Sequence, residues 1–132
     1  MHDLTASLEF AMLVGQVQEA MRELYRVAAQ SAPNPTDAAS SLTFRPAAEH
    51  VQIDGCVDVE RTNGGYVSHY FEMICSRDAF WIECQRHIHD GISERPSGGR
   101  PAVECHTFAD VAKEMSEVAN WFRRHIDDLY DA

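Results

Sequence analysis

Residues 69–91, HYFEMICSRDAFWIECQRHIHDG, decide the fold that the sequence predicts. Apolar and polar residues alternate on both sides of the turn-forming segment 76–79, and a period of two indicates strands with one buried face. Aligned as an antiparallel hairpin, the two halves place apolar residues opposite each other, which stabilises a sheet. The predicted inner pairs are Val67 with Ile88, Phe71 with Cys84, Met73 with Ile82 and Cys75 with Phe80, together with one polar pair, His69 with Arg86.

A preceding strand extends this hairpin into an antiparallel meander over residues 50–89. Residues 50–60, HVQIDGCVDVE, alternate in the same way. The sequence that follows predicts a three-residue turn, Asn63-Gly64-Gly65, with Gly65 in the left-handed conformation. This turn would pair Val59 with His69 and keep the apolar side chains of the two strands on one face.

Two amphipathic helices flank the meander. Residues 4–29 and 107–130 carry apolar residues at three- and four-residue steps, and Thr107 is a suitable N-cap for the second helix. Residues 31–49 contain three prolines and many small polar residues, which predicts a linker. Residues 102–106 predict a short fourth strand.

The element order predicts an α+β fold in a single domain over residues 1–132. Each element has one apolar side. The economical arrangement is therefore a two-layer sandwich, in which the N- and C-terminal helices pack on one face of an antiparallel sheet of three to four strands. The other sheet face is left for solvent or a partner.

The charge of the chain restricts its partners. Its 21 acidic and 11 basic side chains give a formal net charge of −10. This charge disfavours nucleic acid and anionic membranes, and it favours a basic protein partner. No apolar run reaches the ~20 residues that span a bilayer. The start of the sequence does not have the pattern of a secretory signal, so we expect a cytoplasmic protein with reduced cysteines.

Potential metal ligands occur near one another in the second half of the sequence, but strand parity separates them. Cys84 is predicted to face the core, whereas His87 and His89 face the opposite side. A zinc site would also need Cys105 or His106, and no CxxC pair is present. We therefore expect no metal and no cofactor.

The sequence assigns no catalytic residue. Cys75 and Cys84 are predicted to be buried, and Cys56 lies between acidic residues that would raise the pKa of its thiol. No phosphate-binding loop or nucleophile elbow is present. The predicted inner pair of His69 and Arg86 leaves open a buried functional polar cluster, although a position at the sheet edge under a helix end is the simpler interpretation.

The outer sheet face is the candidate site. It combines aromatic and apolar side chains with carboxylates, which suits binding to a basic protein. One opposed pair, Glu72 and Glu83, consists of like charges, which cost stability in isolation. The predicted partner-binding residues are Asp54, Asp58, Glu60, Tyr66, Tyr70, Glu72, Ile74, Trp81, Glu83 and His87. A third layer formed by residues 31–49 or by a second copy of the chain is the alternative, so a homodimer is left open.

The arrangement of YFEMICSRDAFWIECQRH followed by TFADVAKEMSEVANWFRRH, within residues 50–126, resembles the immunity proteins of bacterial toxin systems. The resemblance implies that the chain binds and inhibits a basic cognate toxin, such as a nuclease or a deaminase. It carries over no individual residue.

Three other functions are compatible with the sequence. The first is a secretion chaperone or similar adaptor, a class that is also small and acidic and is usually dimeric. The second is an inhibitor that imitates DNA with its carboxylates. The third is an enzyme, which would require His69, Arg86 and a carboxylate to converge in a pocket.

Overall fold

The protein is an α+β two-layer sandwich, as the sequence predicts, but its sheet has six described strands rather than the predicted three to four. The computed structural model describes residues 2–31, 38–60 and 64–127. It contains one antiparallel sheet of six strands with two helices on one face. The elements are α1 (His2–Ser31), β1 (Ala38–Pro46), β2 (His50–Glu60), β3 (Tyr66–Ser76), β4 (Phe80–His89), β5 (Glu94–Pro96), β6 (Arg100–Cys105) and α2 (Phe108–Arg124).

The β3–β4 hairpin has the predicted register. Phe71 pairs with Cys84, and Met73 pairs with Ile82. All four side chains are buried, while neighbouring residues such as Trp81 lie on the other face. The alternation of the sequence therefore places the apolar residues of both strands beneath the helices.

The predicted register between β2 and β3 is wrong by two residues. Val59 pairs with Val67 rather than with His69, and Glu60 pairs with Tyr66. The connection therefore spans residues 61–65, longer than the predicted three-residue turn, and Gly64 rather than Gly65 has a positive φ of 84°. Residues 61–63, including Asn63 of the predicted turn, lie outside the described residues. A shift of two keeps every side chain on its predicted face.

The prediction of a linker over residues 31–49 is wrong for residues 38–46. This segment forms β1, which pairs with β2 through nine consecutive residues, from Ala38 opposite Val59 to Pro46 opposite Val51. Small polar residues do not favour a strand on their own, but β2 supplies the hydrogen-bonding partner that local propensity does not reveal. Residues 32–37 lie outside the described part of the chain.

Both helices differ from their predicted bounds. α1 extends the predicted helix 4–29 by two residues at each end. α2 begins after Thr107, whose hydroxyl oxygen accepts a hydrogen bond from the backbone N–H of Asp110 at 3.1 Å, as expected of an N-cap. It ends at Arg124 rather than at residue 130, with His125 as its C-cap. Residues 128–130 of the predicted helix lie outside the described residues.

The helices divide the inner face of the sheet between them. α1 lies over β1 and β2, and α2 lies over β4 and β6. Gly55 of β2 allows α1 to approach closely, because a Cβ atom built there would lie 2.6 Å from Cδ1 of Phe71 and 2.8 Å from Sδ of Met21. On the α2 side, Phe122 meets Phe71 edge to face at 6.4 Å between ring centroids.

The first prediction compares two glycine-to-alanine substitutions. We expect Gly55→Ala to lower the free energy of unfolding by about 1–3 kcal/mol, because the added methyl group overpacks the core beneath α1. Gly15→Ala should raise it by about 0.5–1 kcal/mol, because Gly15 is exposed on α1 and an added Cβ meets no atom within 4 Å.

Urea unfolding monitored by circular dichroism measures both changes. A fall of the same size for both variants would show that the sheet and α1 do not meet at Gly55.

Candidate functional site

The outer face of the sheet, opposite the helices, presents the side chains that the sequence assigns to a partner-binding site. Each of the ten predicted residues lies on this face: Asp54, Asp58 and Glu60 on β2, Tyr66, Tyr70, Glu72 and Ile74 on β3, and Trp81, Glu83 and His87 on β4. Tyr66 and Ile74 are eight residues apart on one strand, which corresponds to about 27 Å. The site is therefore an extended surface.

A hydrogen-bonded network occupies the centre of this face. The hydroxyl of Tyr70 lies 2.8 Å from Oδ1 of Asp54 and 2.9 Å from Oε2 of Glu72. The side-chain amide of Gln52 donates to Oδ1 of Asp54 at 3.1 Å, and Nε of Arg45 lies 3.0 Å from Oδ2 of Asp54. Asp54 is only 7% exposed, because these neighbours surround it. Its charge is thus largely satisfied within the protein.

Tyr70 holds two carboxylates close together. Burial raises the pKa of its phenol, and the carboxylates of Asp54 and Glu72 raise it further. The hydroxyl is therefore protonated at neutral pH and remains a donor. The hydroxyl has one proton and can donate it to only one of the two carboxylates at a time. The side-chain amide of Gln52 is a further donor, since its Nε2 lies 3.4 Å from Oε2 of Glu72 and also donates to Asp54.

One end of the face forms an aromatic and acidic patch. Trp81 is 38% exposed. It lies between Ile74 on β3 and Glu104 on β6, which are its cross-strand neighbours. Glu83 follows two residues later on the same face, opposite Glu72. Within the described part of the chain, no side chain donates a hydrogen bond or forms an ion pair with Glu83.

The other end of the face carries a second aromatic group. Tyr66 stacks on His89 with ring centroids 5.0 Å apart and planes at 3°. Nδ1 of His87 lies 3.4 Å from Oε1 of Glu94 on β5. At the same end, the exposed Asp58 accepts a hydrogen bond from Sγ of Cys56 at 3.2 Å. The contacts at this end therefore join neighbouring side chains to one another, and none of the three includes Trp81.

Sequence reasoning did not identify Arg45 and Glu104 as members of this face. Arg45 lies in the segment that the sequence predicts to be a linker, so the sequence does not predict its pairing with Asp54. Glu104 lies on the short strand β6, whose pairing with β4 places it opposite Trp81. The alternation of polar Glu104 with Val103 and Cys105 is the signal that could have placed it on this face.

The cysteines are protonated at neutral pH. Burial raises the pKa of the Cys84 thiol to about 12 and that of Cys75 to about 11. Burial, followed by the hydrogen bond and charge of Asp58, raises the pKa of Cys56 to about 12. The thiolate is the nucleophilic form, so this environment disfavours cysteine nucleophiles.

The candidate metal ligands lie apart. Cys84 and Cys105 are buried on the inner face, whereas His87 lies on the outer face beside Glu94. His106 lies after β6, with Nε2 3.6 Å from Oε1 of Glu104. Across residues 2–31, 38–60 and 64–127, no group of three or more His, Cys, Asp or Glu residues is arranged to share a metal ion.

The inner pair of His69 and Arg86 lies in the core beneath the C-terminal end of α2. These residues belong to the central strands β3 and β4, so their expected position at the sheet edge is wrong. Nε of Arg86 donates to Nε2 of His69 at 3.2 Å, and Nδ1 of His69 lies 3.4 Å from the carbonyl oxygen of Val57. The imidazole therefore carries its proton on Nδ1 and is neutral. Trp121 and His125 pack against His69, with ring centroids 5.9 Å and 5.4 Å from that of His69.

Comparisons with protein families, with curated proteins and with solved structures find no match for this chain. In the described part of the chain, neither helix combines the length and apolar character needed to cross a membrane.

The second prediction concerns the hydroxyl of Tyr70. We expect Tyr70→Phe to lower the free energy of unfolding at pH 7 by about 1–3 kcal/mol, because Asp54 and Glu72 lose their shared donor and remain adjacent. Tyr66→Phe is the matched control and should change stability by less than about 0.5 kcal/mol, because the Tyr66 ring keeps its stacking on His89.

Urea unfolding of both variants measures the difference. Equal stabilities for Tyr70→Phe and the wild-type chain would contradict the proposed role of the hydroxyl.

Proposed function

We propose that this chain is an immunity-type protein, which binds and inhibits a basic cognate toxin, such as a nuclease or a deaminase, through the outer face of its sheet. The observation that carries the proposal is the patch around Trp81, an exposed indole flanked by carboxylates. The negative charge of the whole chain agrees with a basic partner.

The described part of the chain leaves this face uncovered. Both helices pack on the opposite side of the sheet, and residues 38–46 join the sheet edge as β1 instead of forming a third layer. Trp81 consequently keeps more than a third of its surface exposed. Large aromatic side chains in such positions are common anchors of protein interfaces.

The chemistry of the patch suits an arginine or lysine of the partner. A guanidinium group can stack on the Trp81 indole while it pairs with a nearby carboxylate. Two carboxylates are near enough to take part, since Glu83 lies two residues from Trp81 on β4 and Glu104 lies opposite Trp81 on β6. Asp54 differs from Glu83, because Arg45, Gln52 and Tyr70 already satisfy its carboxylate, so we assign it an organising role within the face.

The partner itself distinguishes this function from that of an adaptor. An immunity protein binds a folded toxin and abolishes its activity, whereas a secretion chaperone holds an unfolded segment. The predicted partner is therefore a folded, basic protein that is toxic when it is produced without this chain.

The third prediction is that Trp81→Ala combined with Glu83→Lys weakens partner binding by at least about a hundredfold, equivalent to about 2.7 kcal/mol, while the fold is retained. The tagged chain is used to isolate its partner from the native host, and affinity is then measured by calorimetry. Production of the partner alone, and together with each variant, tests its toxicity and inhibition.

The matched control combines Phe108→Ala with Glu9→Lys. Phe108 is 40% exposed, close to the 38% of Trp81. Phe108 and Glu9 both lie in the helical layer, on the opposite side of the sheet from Trp81. The control makes the same change in net charge and should leave affinity and inhibition unchanged. An acidic or unfolded partner, or equal affinity of the two double variants, would contradict the proposal.

A further inference from the structure

The two edges of the sheet differ in how strongly they are protected against pairing with a further strand. One edge is divided between β5, with three residues, and β6, with six, and its pairing with β4 is interrupted by a register shift. Short strands and irregular pairing discourage the addition of another strand. The opposite edge is β1, which has nine residues and an uninterrupted register with β2. No described strand pairs with its other side.

β1 also has little charge to prevent pairing. Its sequence is AASSLTFRP, and its one charged residue, Arg45, forms an ion pair with Asp54 on the outer face. The carboxylates that favour a basic partner lie on the outer face rather than along this edge. A nearly neutral strand in a chain of net charge −10 is the part where a second copy meets least repulsion.

The helix side of β1 carries a projection and a groove. Phe44 shares the inner face with the buried Ile53 opposite it, yet it is 56% exposed. Two and four residues earlier on the same face, Leu42 and Ser40 line an open groove between β1 and α1. The other wall belongs to α1, which contributes Met21 and Tyr25 together with the polar Gln18 and Arg22.

We infer that β1 pairs antiparallel with β1 of a second copy of this chain, about a twofold axis at Leu42. This register places Phe44 opposite Ser40 of the second copy, where its ring enters the groove beside Leu42. The twofold axis repeats the contact, so that each copy supplies one projection and one groove. On the outer face, Arg45 lies opposite Ala39, so no like charges are opposed.

The result is one continuous sheet of twelve strands from two copies. β4 lies three strands from β1, about 14 Å away. The Trp81 patch of each copy is therefore left open, and the inference stands independently of the proposed function.

The test measures mass by light scattering from about 1 µM to about 1 mM protein. The wild-type chain should reach twice its 14.9 kDa mass. Phe44→Ser should weaken the dimer at least about tenfold. Ile92→Ser removes an apolar side chain that is 93% exposed in a loop, and it should have no effect.

Two double variants with opposite charges test the register, and their mixture controls for loss of folding. The double variant Ser40→Lys, Phe44→Lys and the double variant Ser40→Glu, Phe44→Glu should each be monomeric, because like charges meet at both contacts. Their mixture should form a dimer, which requires both chains to be folded.

A wild-type chain that stays at 14.9 kDa over the whole range would overturn the inference, even if it captures an extended peptide from another protein. A dimer that is unaffected by Phe44→Ser, or charge variants that do not associate when mixed, would also overturn it.

Discussion

The structure depends on the alternation of side chains along β3 and β4. With a period of two, Phe71, Met73 and Ile82 are directed beneath the helices, while Tyr70, Glu72 and Trp81 are directed to the other side. A slip of one residue would exchange the two sets and expose the core. The same constraint therefore forms the apolar layer and creates the polar, aromatic face to which we assign function.

Much of this could be predicted from sequence because period and pairing are local properties of a hairpin. The β3–β4 register followed from matching apolar residues across a short turn. The β2–β3 register did not, because two registers that differ by two residues bury the same face, and the longer connection decided between them. The sheet face on which each side chain of β2 and β3 lies was therefore predictable, although the register that pairs the two strands was not.

β1 and the network that it completes were less predictable. The residues of β1 are small, polar or isolated apolar side chains, and they form a strand because β2 offers an edge to pair with. Without β1, neither the Arg45–Asp54 ion pair nor the exposed strand edge could be anticipated. For the same reason, the burial of Asp54 on an otherwise open face could not be predicted from the sequence.

The two surfaces that we assign have different physical character. The outer face is charged and aromatic, which suits recognition of a foreign basic protein, whereas the β1 edge is nearly neutral and self-complementary. Dimerisation through β1 does not decide between a toxin inhibitor and an adaptor, because both can use the outer face. The folded state and the activity of the bound partner decide it.

The most direct test of the account is acrylamide quenching of tryptophan fluorescence in the wild-type chain and in Trp81→Phe. Trp81 is 38% exposed and Trp121 is 2% exposed. We expect the substitution to remove the red-shifted, readily quenched component and to leave the protected emission of Trp121. If the readily quenched component remains in Trp81→Phe, Trp81 is not on the open face and the assignment of the two faces is wrong.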